Sequence, residues 1–74
     1  MEIGTIFMFL GNEYKIIFKN DKIKRINIEP IGDNDGFPNI RDVIRIKDDF
    51  YRVIYIHKIK KRISLDQIEK KGAE

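Results

Sequence analysis

The chain has no cysteine, no tryptophan, a single histidine and a single alanine in its 74 residues. Without cysteine a disulfide framework is excluded, and so is any zinc site of the usual Cys/His kind. The same absence fits a reducing compartment, and a cytoplasmic location is the expectation. Long apolar runs are missing as well. The longest, residues 3–10, falls well short of the roughly 20 residues that a membrane-spanning helix needs. Glu2 precedes that run and no small-residue cleavage motif follows it, so it does not read as a secretion signal, and no membrane association is expected.

The equipment of catalysis is missing too. There is no glycine-rich phosphate loop and no nucleophile–base pair at a recognisable spacing. His57 stands without a cysteine or an evident serine partner nearby, Ser64 reads as a cap or strand residue, and the Asp48-Asp49 carboxylates fall in a turn. The segment Asp33-Asn34-Asp35-Gly36 has the composition of a calcium loop but not its spacing. Such a loop wants glycine sixth and glutamate twelfth, and counting from Asp33 finds Gly36 fourth and Ile44 twelfth. A non-enzymatic domain without metal or cofactor is therefore expected.

What the chain does have is β-formers. Sixteen isoleucines, five phenylalanines and three tyrosines stand against the one alanine, a balance that favours sheet over helix. Period-two runs separated by turn residues fill most of the length. Residues 3–10 lead to Gly11-Asn12, a pair suited to a hairpin turn, and then to an alternating run over 14–19. Asn20-Asp21 makes a second turn into 22–29, with Ile26 and Ile28 on one face, which completes a β-meander. Residues 30–39, rich in Pro, Gly, Asn and Asp, form one long loop. Beyond it, 43–47 places Ile44 and Ile46 on one side. Asp48-Asp49 turns into a strong strand over 50–57, Lys58–Lys61 makes a basic turn, and 62–65 starts a closing strand. Ser64 and Gln67 have capping-box spacing, which supports a short helix over 65–71 stopped by Gly72. The other reading is that Ile63, Leu65 and Ile68 finish the sheet. A chain this short holds one domain, residues 1–74. The fold class is mostly β, a small five- to six-stranded barrel with or without that helix, because closure removes exposed strand edges.

The runs Ile40-Arg41-Asp42-Val43-Ile44-Arg45-Ile46, Phe50-Tyr51-Arg52-Val53-Ile54-Tyr55-Ile56 and Arg62-Ile63-Ser64-Leu65 resemble the second half of an SH3-like barrel: turn, short strand, acidic turn, strand, closing strand. Such barrels occur in translation and transcription factors, ribosomal proteins and adaptor modules. Those families often carry glycine before the aspartate, where this chain has Arg41. The absence of tryptophan departs from the proline-peptide-binding members.

Charge carries the functional expectation. The formal net charge is +3, and cations gather in two places. One holds Lys15, Lys19, Lys22, Lys24 and Arg25, the other Arg52, Lys58, Lys60, Lys61 and Arg62. If the two turns they flank lie on one side of a barrel, they make a single basic surface. With Tyr51, Tyr55 and His57 assigned to the face of their strand that holds Val53, rings stand beside cations, as in binders of RNA or single-stranded DNA. The candidate phosphate-binding residues are Lys22, Lys24, Arg25, Arg52, Lys58, Lys60, Lys61 and Arg62, with Tyr51, Tyr55 and His57 for stacking. Lysine-rich turns also serve simply as solubilising surface.

A different class of function comes from the first strand, which is apolar on both faces: Ile3, Phe7 and Phe9 on one, Ile6, Met8 and Leu10 on the other. A barrel strand buries one face only. The surplus, with Ile17 on the next strand, makes Ile6, Phe7, Met8, Leu10 and Ile17 a candidate protein interface for a homodimer or a protein partner.

Overall fold

Alternation of Ile, Phe, Tyr and Val with polar residues gives six strands: β1 Ile6–Phe9, β2 Asn12–Asn20, β3 Arg25–Pro30, β4 Val43–Ile46, β5 Asp49–His57 and β6 Arg62–Ile68. They are described by a computed structural model covering residues 2–32 and 37–68. The strands form one antiparallel sheet in the order β1-β2-β3-β6-β5-β4. The sheet curls into a nearly closed all-β barrel, consistent with a small SH3-like barrel. Its inner face is the core: Tyr14, Ile16, Ile26, Ile28, Ile44, Ile46, Tyr51, Val53, Ile63 and Leu65 are buried, with Phe7, Phe9, Phe37 and Ile56 packed against them. Fully burying an Ile, Leu or Val side chain of this core stabilises the fold by about 1.5–3 kcal/mol before entropy is counted.

The two halves of the sheet are one structure repeated. Adding 37 to a residue number carries β1 Ile6–Phe9 onto β4 Val43–Ile46, β2 Asn12–Asn20 onto β5 Asp49–His57, and Arg25, the start of β3, onto Arg62, the start of β6. The shift also carries Tyr14, Ile16, Ile26 and Ile28 onto Tyr51, Val53, Ile63 and Leu65, all buried. It carries the left-handed residues Gly4, Leu10 and Lys24 onto Arg41, Lys47 and Lys61, also left-handed. The bulge between Ile16 and Phe18 falls onto the bulge between Val53 and Tyr55. Where the halves meet, Ile26 pairs with Leu65 and Ile28 with Ile63, a set that the shift exchanges, while Asn27 pairs with Ser64. A pseudo-twofold axis therefore passes through the Asn27–Ser64 pair, relating two three-stranded meanders.

The turns follow the same duplication. Gly4 N–H donates to Ile16 O at 2.7 Å while Ile16 N–H donates to Thr5 O at 3.0 Å. At the equivalent place Arg41 N–H donates to Val53 O at 2.8 Å and Val53 N–H to Asp42 O at 2.9 Å. Both are bulges whose first residue has positive φ, a place that favours glycine.

Several expectations need correction. Residues 65–68 are not helix: they end β6, and Gln67 N–H donates to Lys24 O at 2.8 Å, extending the β3–β6 ladder. The remainder of the expected helix, 69–71, lies outside the described residues, as does the Asp33–Gly36 segment. The first hairpin turns on Leu10-Gly11, so that Asn12 opens β2 opposite Phe9. Pro30 is still strand, opposite Tyr14 and past the last β3–β6 pair, where a missing N–H leaves no ladder bond unmade.

Candidate nucleic-acid interface

Cross-strand partners share a face, so the pairing registers map the outer surface of the barrel. Its central row runs Phe18–Asn27–Ser64–Tyr55 across β2, β3, β6 and β5. The two rings are equivalents under the pseudo-twofold axis and both are open to solvent, Phe18 at 44% and Tyr55 at 55%. One flanking row is Val43–Arg52–Asp66–Arg25–Asn20. The other contains Ile6–Lys15–Glu29 on one side and Arg62–His57 on the other.

Exposure of the rings follows from the bulges. In β2 and β5 the alternation that buries Tyr14 and Ile16, or Tyr51 and Val53, would place Phe18 and Tyr55 inside as well. The extra residues Ile17 and Ile54 reverse the parity, turning both rings outward. This overturns the assignment of Tyr51, Tyr55 and His57 to one face with Val53. Tyr51 is 4% exposed and belongs to the core, so it is no stacking platform. Burial pushes its hydroxyl above the ordinary phenol range, and the carboxylates of Asp49 and Asp21 push the same way. Tyr55 and His57 do lie together, edge to face, with ring centroids 6.2 Å apart.

The cations divide into three groups. Lys22 and Lys24 lie in the β2–β3 loop, and Lys58, Lys60 and Lys61 in the β5–β6 loop, all exposed. Arg25, Arg52 and Arg62 stand on the strands of the outer face. The two loops do not share one side of the barrel. Arg25, leaving the first loop, pairs with Asp66 late in β6, whereas Arg62, leaving the second, pairs with His57 at the far end of β5. The loops therefore cap opposite ends of the β3–β6 pair, separated along the strands by about 13 Å at ~3.3 Å per residue. The single basic patch pictured from the sequence is replaced by two equivalent loops, with the exposed rings and the strand arginines between them.

Both loops are built alike. Asn20 Oδ1 accepts from Lys22 N–H at 3.0 Å and Ile23 N–H at 3.4 Å. At the position equivalent to Asn20, His57 Nδ1 accepts from Lys60 N–H at 3.3 Å. On the face itself, Arg25 forks onto Asp66, Nε to Oδ1 at 2.7 Å and Nη2 to Oδ2 at 3.4 Å. That contact holds the Arg25 guanidinium pKa above its ordinary value, through the hydrogen bond first and the charge second. Arg62, the counterpart of Arg25, has no ion-pair partner among the described residues.

A cleft of about 550 Å³ opens beside Tyr55, walled by Phe37, Pro38, Asn39, Ile40, Ile56 and Lys58. It puts an apolar wall, an amide and an ammonium next to an exposed ring. Phe18 and this cleft were missed in the sequence; the bulge that exposes Phe18 leaves no mark in an apolar run. Of the candidate interface residues, Ile6, Met8 and Leu10 are exposed and Ile17 is half-buried. Phe7 instead turns inward and stacks on Tyr14 at 5.8 Å, so it is not an interface residue.

Among the described residues no group of three or more His, Asp or Glu side chains is placed to hold a metal ion, and no helix is long and apolar enough to cross a membrane. No family model, curated protein or solved structure matches the chain.

Proposed function

We propose that the domain binds single-stranded nucleic acid, RNA or single-stranded DNA, across the outer face of the barrel, without catalysing a reaction. The observation that carries this reading is the row of exposed rings, Phe18 and Tyr55, flanked by Arg25, Arg52 and Arg62 and leading at each end to a lysine loop. Bases stack on rings whatever their identity, and phosphates meet guanidinium and ammonium groups; together these features favour a single strand over a folded protein ligand. A strand laid diagonally across the face passes from Lys22 and Lys24, over Phe18 on β2, across β3 and β6 to Tyr55 on β5, and on to Lys58, Lys60 and Lys61. Its bases then lie beside the cleft next to Tyr55. The strand arginines contribute phosphate contacts between the loops, with Arg62 in no ion pair among the described residues and Arg25 shared with Asp66.

Fluorescence anisotropy with labelled oligo-uridine and oligo-thymidine at two salt concentrations tests the reading. The expected result is measurable binding at low salt that weakens as salt rises, with log K falling by roughly 0.7 per decade of salt for each phosphate neutralised. Tyr55→Ala and Phe18→Ala each remove about 1–3 kcal/mol of stacking. No binding at low salt overturns the proposal, as does binding that is indifferent to both ring deletions.

A further inference from the structure

The duplicated architecture allows a comparison that a single barrel would not. Positions related by the 37-residue shift occupy the same place in the fold, so a difference in residue class between them at exposed sites is not demanded by folding. On β4 and its turn the outward residues are Val43, Arg45 and Lys47. On β1 and its turn the equivalents are Ile6, Met8 and Leu10, exposed by 57%, 61% and 79%. Past the apolar position that both share, Val43 and Ile6, one copy of the meander keeps this edge charged, as solvent-facing edges usually are; the other has made it apolar.

We infer that this β1 corner docks a second copy of the chain, forming a twofold homodimer. The choice of a second copy rests on the charges beside the patch. Lys15 stands opposite Ile6 and Glu13 opposite Met8 on the neighbouring strand. An isologous contact needs a patch that complements itself, each residue meeting a different residue of its twin. A twofold axis lying across β1 at the level of Phe7 sets Ile6 over Met8 of the second copy. The same operation sets Lys15 over Glu13 of the second copy, and Glu13 over its Lys15. Apolar meets apolar, and two ion pairs related by the axis close the contact, whereas elsewhere on the outer face the cations Arg25, Arg45, Arg52 and Arg62 outnumber the carboxylates Glu29 and Asp66. The contact lies to one side of the Phe18–Tyr55 row, so it does not depend on the nucleic-acid reading.

Sedimentation equilibrium of the full chain over a wide concentration range tests the inference. The expected mass rises from the 8.8 kDa monomer toward twice that value. The double variant Met8→Arg/Leu10→Lys copies the residues that the fold already accepts on β4, and it stays monomeric with an unchanged urea midpoint. Glu13→Lys and Lys15→Glu each turn both symmetry-related ion pairs repulsive and weaken association by about tenfold or more, and the double exchange restores it. A wild-type chain that remains a monomer at every concentration overturns the inference, including when it captures an unrelated protein through the same residues. So does a Met8→Arg/Leu10→Lys variant that dimerises as well as the wild type.

Discussion

The Ser64 hydroxyl donates to Asn27 Oδ1 at 2.8 Å, and the two residues stand opposite one another where the pseudo-twofold axis crosses the sheet. Any interaction at this point is shared by both meanders, because the shift that relates the halves carries one partner onto the other. β3 and β6 are also the strands through which the halves pair.

Removing the donor tests this coupling. Ser64→Ala leaves a half-buried amide oxygen without its partner and is expected to cost about 1 kcal/mol. Asn27→Ala/Ser64→Ala together should cost less than the two single changes added, since neither is then left with an orphaned group. Urea midpoints of the four proteins in this cycle measure the difference. Strict additivity would mean that the pair contributes nothing.

The repeat also identifies a strained residue. Gly4 and Arg41 open equivalent bulges at φ 98° and φ 82°. A β-carbon at Gly4 would meet nothing within 4 Å, so the constraint there is backbone conformation and not space. Arg41→Gly is therefore expected to stabilise the fold by about 0.5–1 kcal/mol, relief of left-handed strain outweighing the extra freedom of the unfolded chain. Gly4→Ala should destabilise by about 1 kcal/mol for the converse reason. Thermal unfolding of the two variants reports both signs. A destabilised Arg41→Gly would show that its guanidinium, and not its backbone, decides that position.

Much of this architecture is readable in the chain, and the parts that are not have physical causes. Alternation located the strands, and the inward faces of Ile26/Ile28 and Ile44/Ile46 followed from it. The duplication is written openly in one place, where Lys24-Arg25-Ile26 recurs as Lys61-Arg62-Ile63, with Tyr14 recurring as Tyr51. Elsewhere it hides, because any sheet alternates and the loops between the repeats have diverged. The bulges were illegible: Ile17 and Ile54 are apolar residues in apolar strands, and nothing in their identity shows that they reverse the parity of Phe18 and Tyr55. The capping-box spacing of Ser64 and Gln67 misled for a different reason. Ser64 spends its hydroxyl on Asn27 across the sheet and Gln67 donates its N–H to Lys24, so tertiary pairing won over a local helix start.

The equivalence of the two loops makes a prediction about binding. Lys22→Gln/Lys24→Gln and Lys58→Gln/Lys60→Gln neutralise opposite ends of the same path. Each pair should lower the slope of log K against log salt by up to ~1.4, two contacts at ~0.7 each for a single strand. The loops lie beyond direct contact, so the losses should add in the quadruple variant. Anisotropy titrations across a salt series provide the slopes. An effect confined to one loop would place the strand across only half of the face.

Alkaline stability offers a readout of the core that is independent of any ligand. The Tyr51 hydroxyl is raised above its ordinary value by burial first, with Asp49 and Asp21 adding to the shift. The unfolded phenol titrates near ~10, whereas the folded one keeps its proton to higher pH. Below the unfolded value both states are neutral and the contribution is fully present. As pH rises past ~10 the unfolded chain loses its proton first, which draws the equilibrium toward it until the folded group titrates as well. Stability should therefore fall on the alkaline side, and Tyr51→Phe should flatten that fall. Urea midpoints on either side of pH ~10 compare the two. An equally steep alkaline loss in Tyr51→Phe would show that the Tyr51 hydroxyl does not cause it.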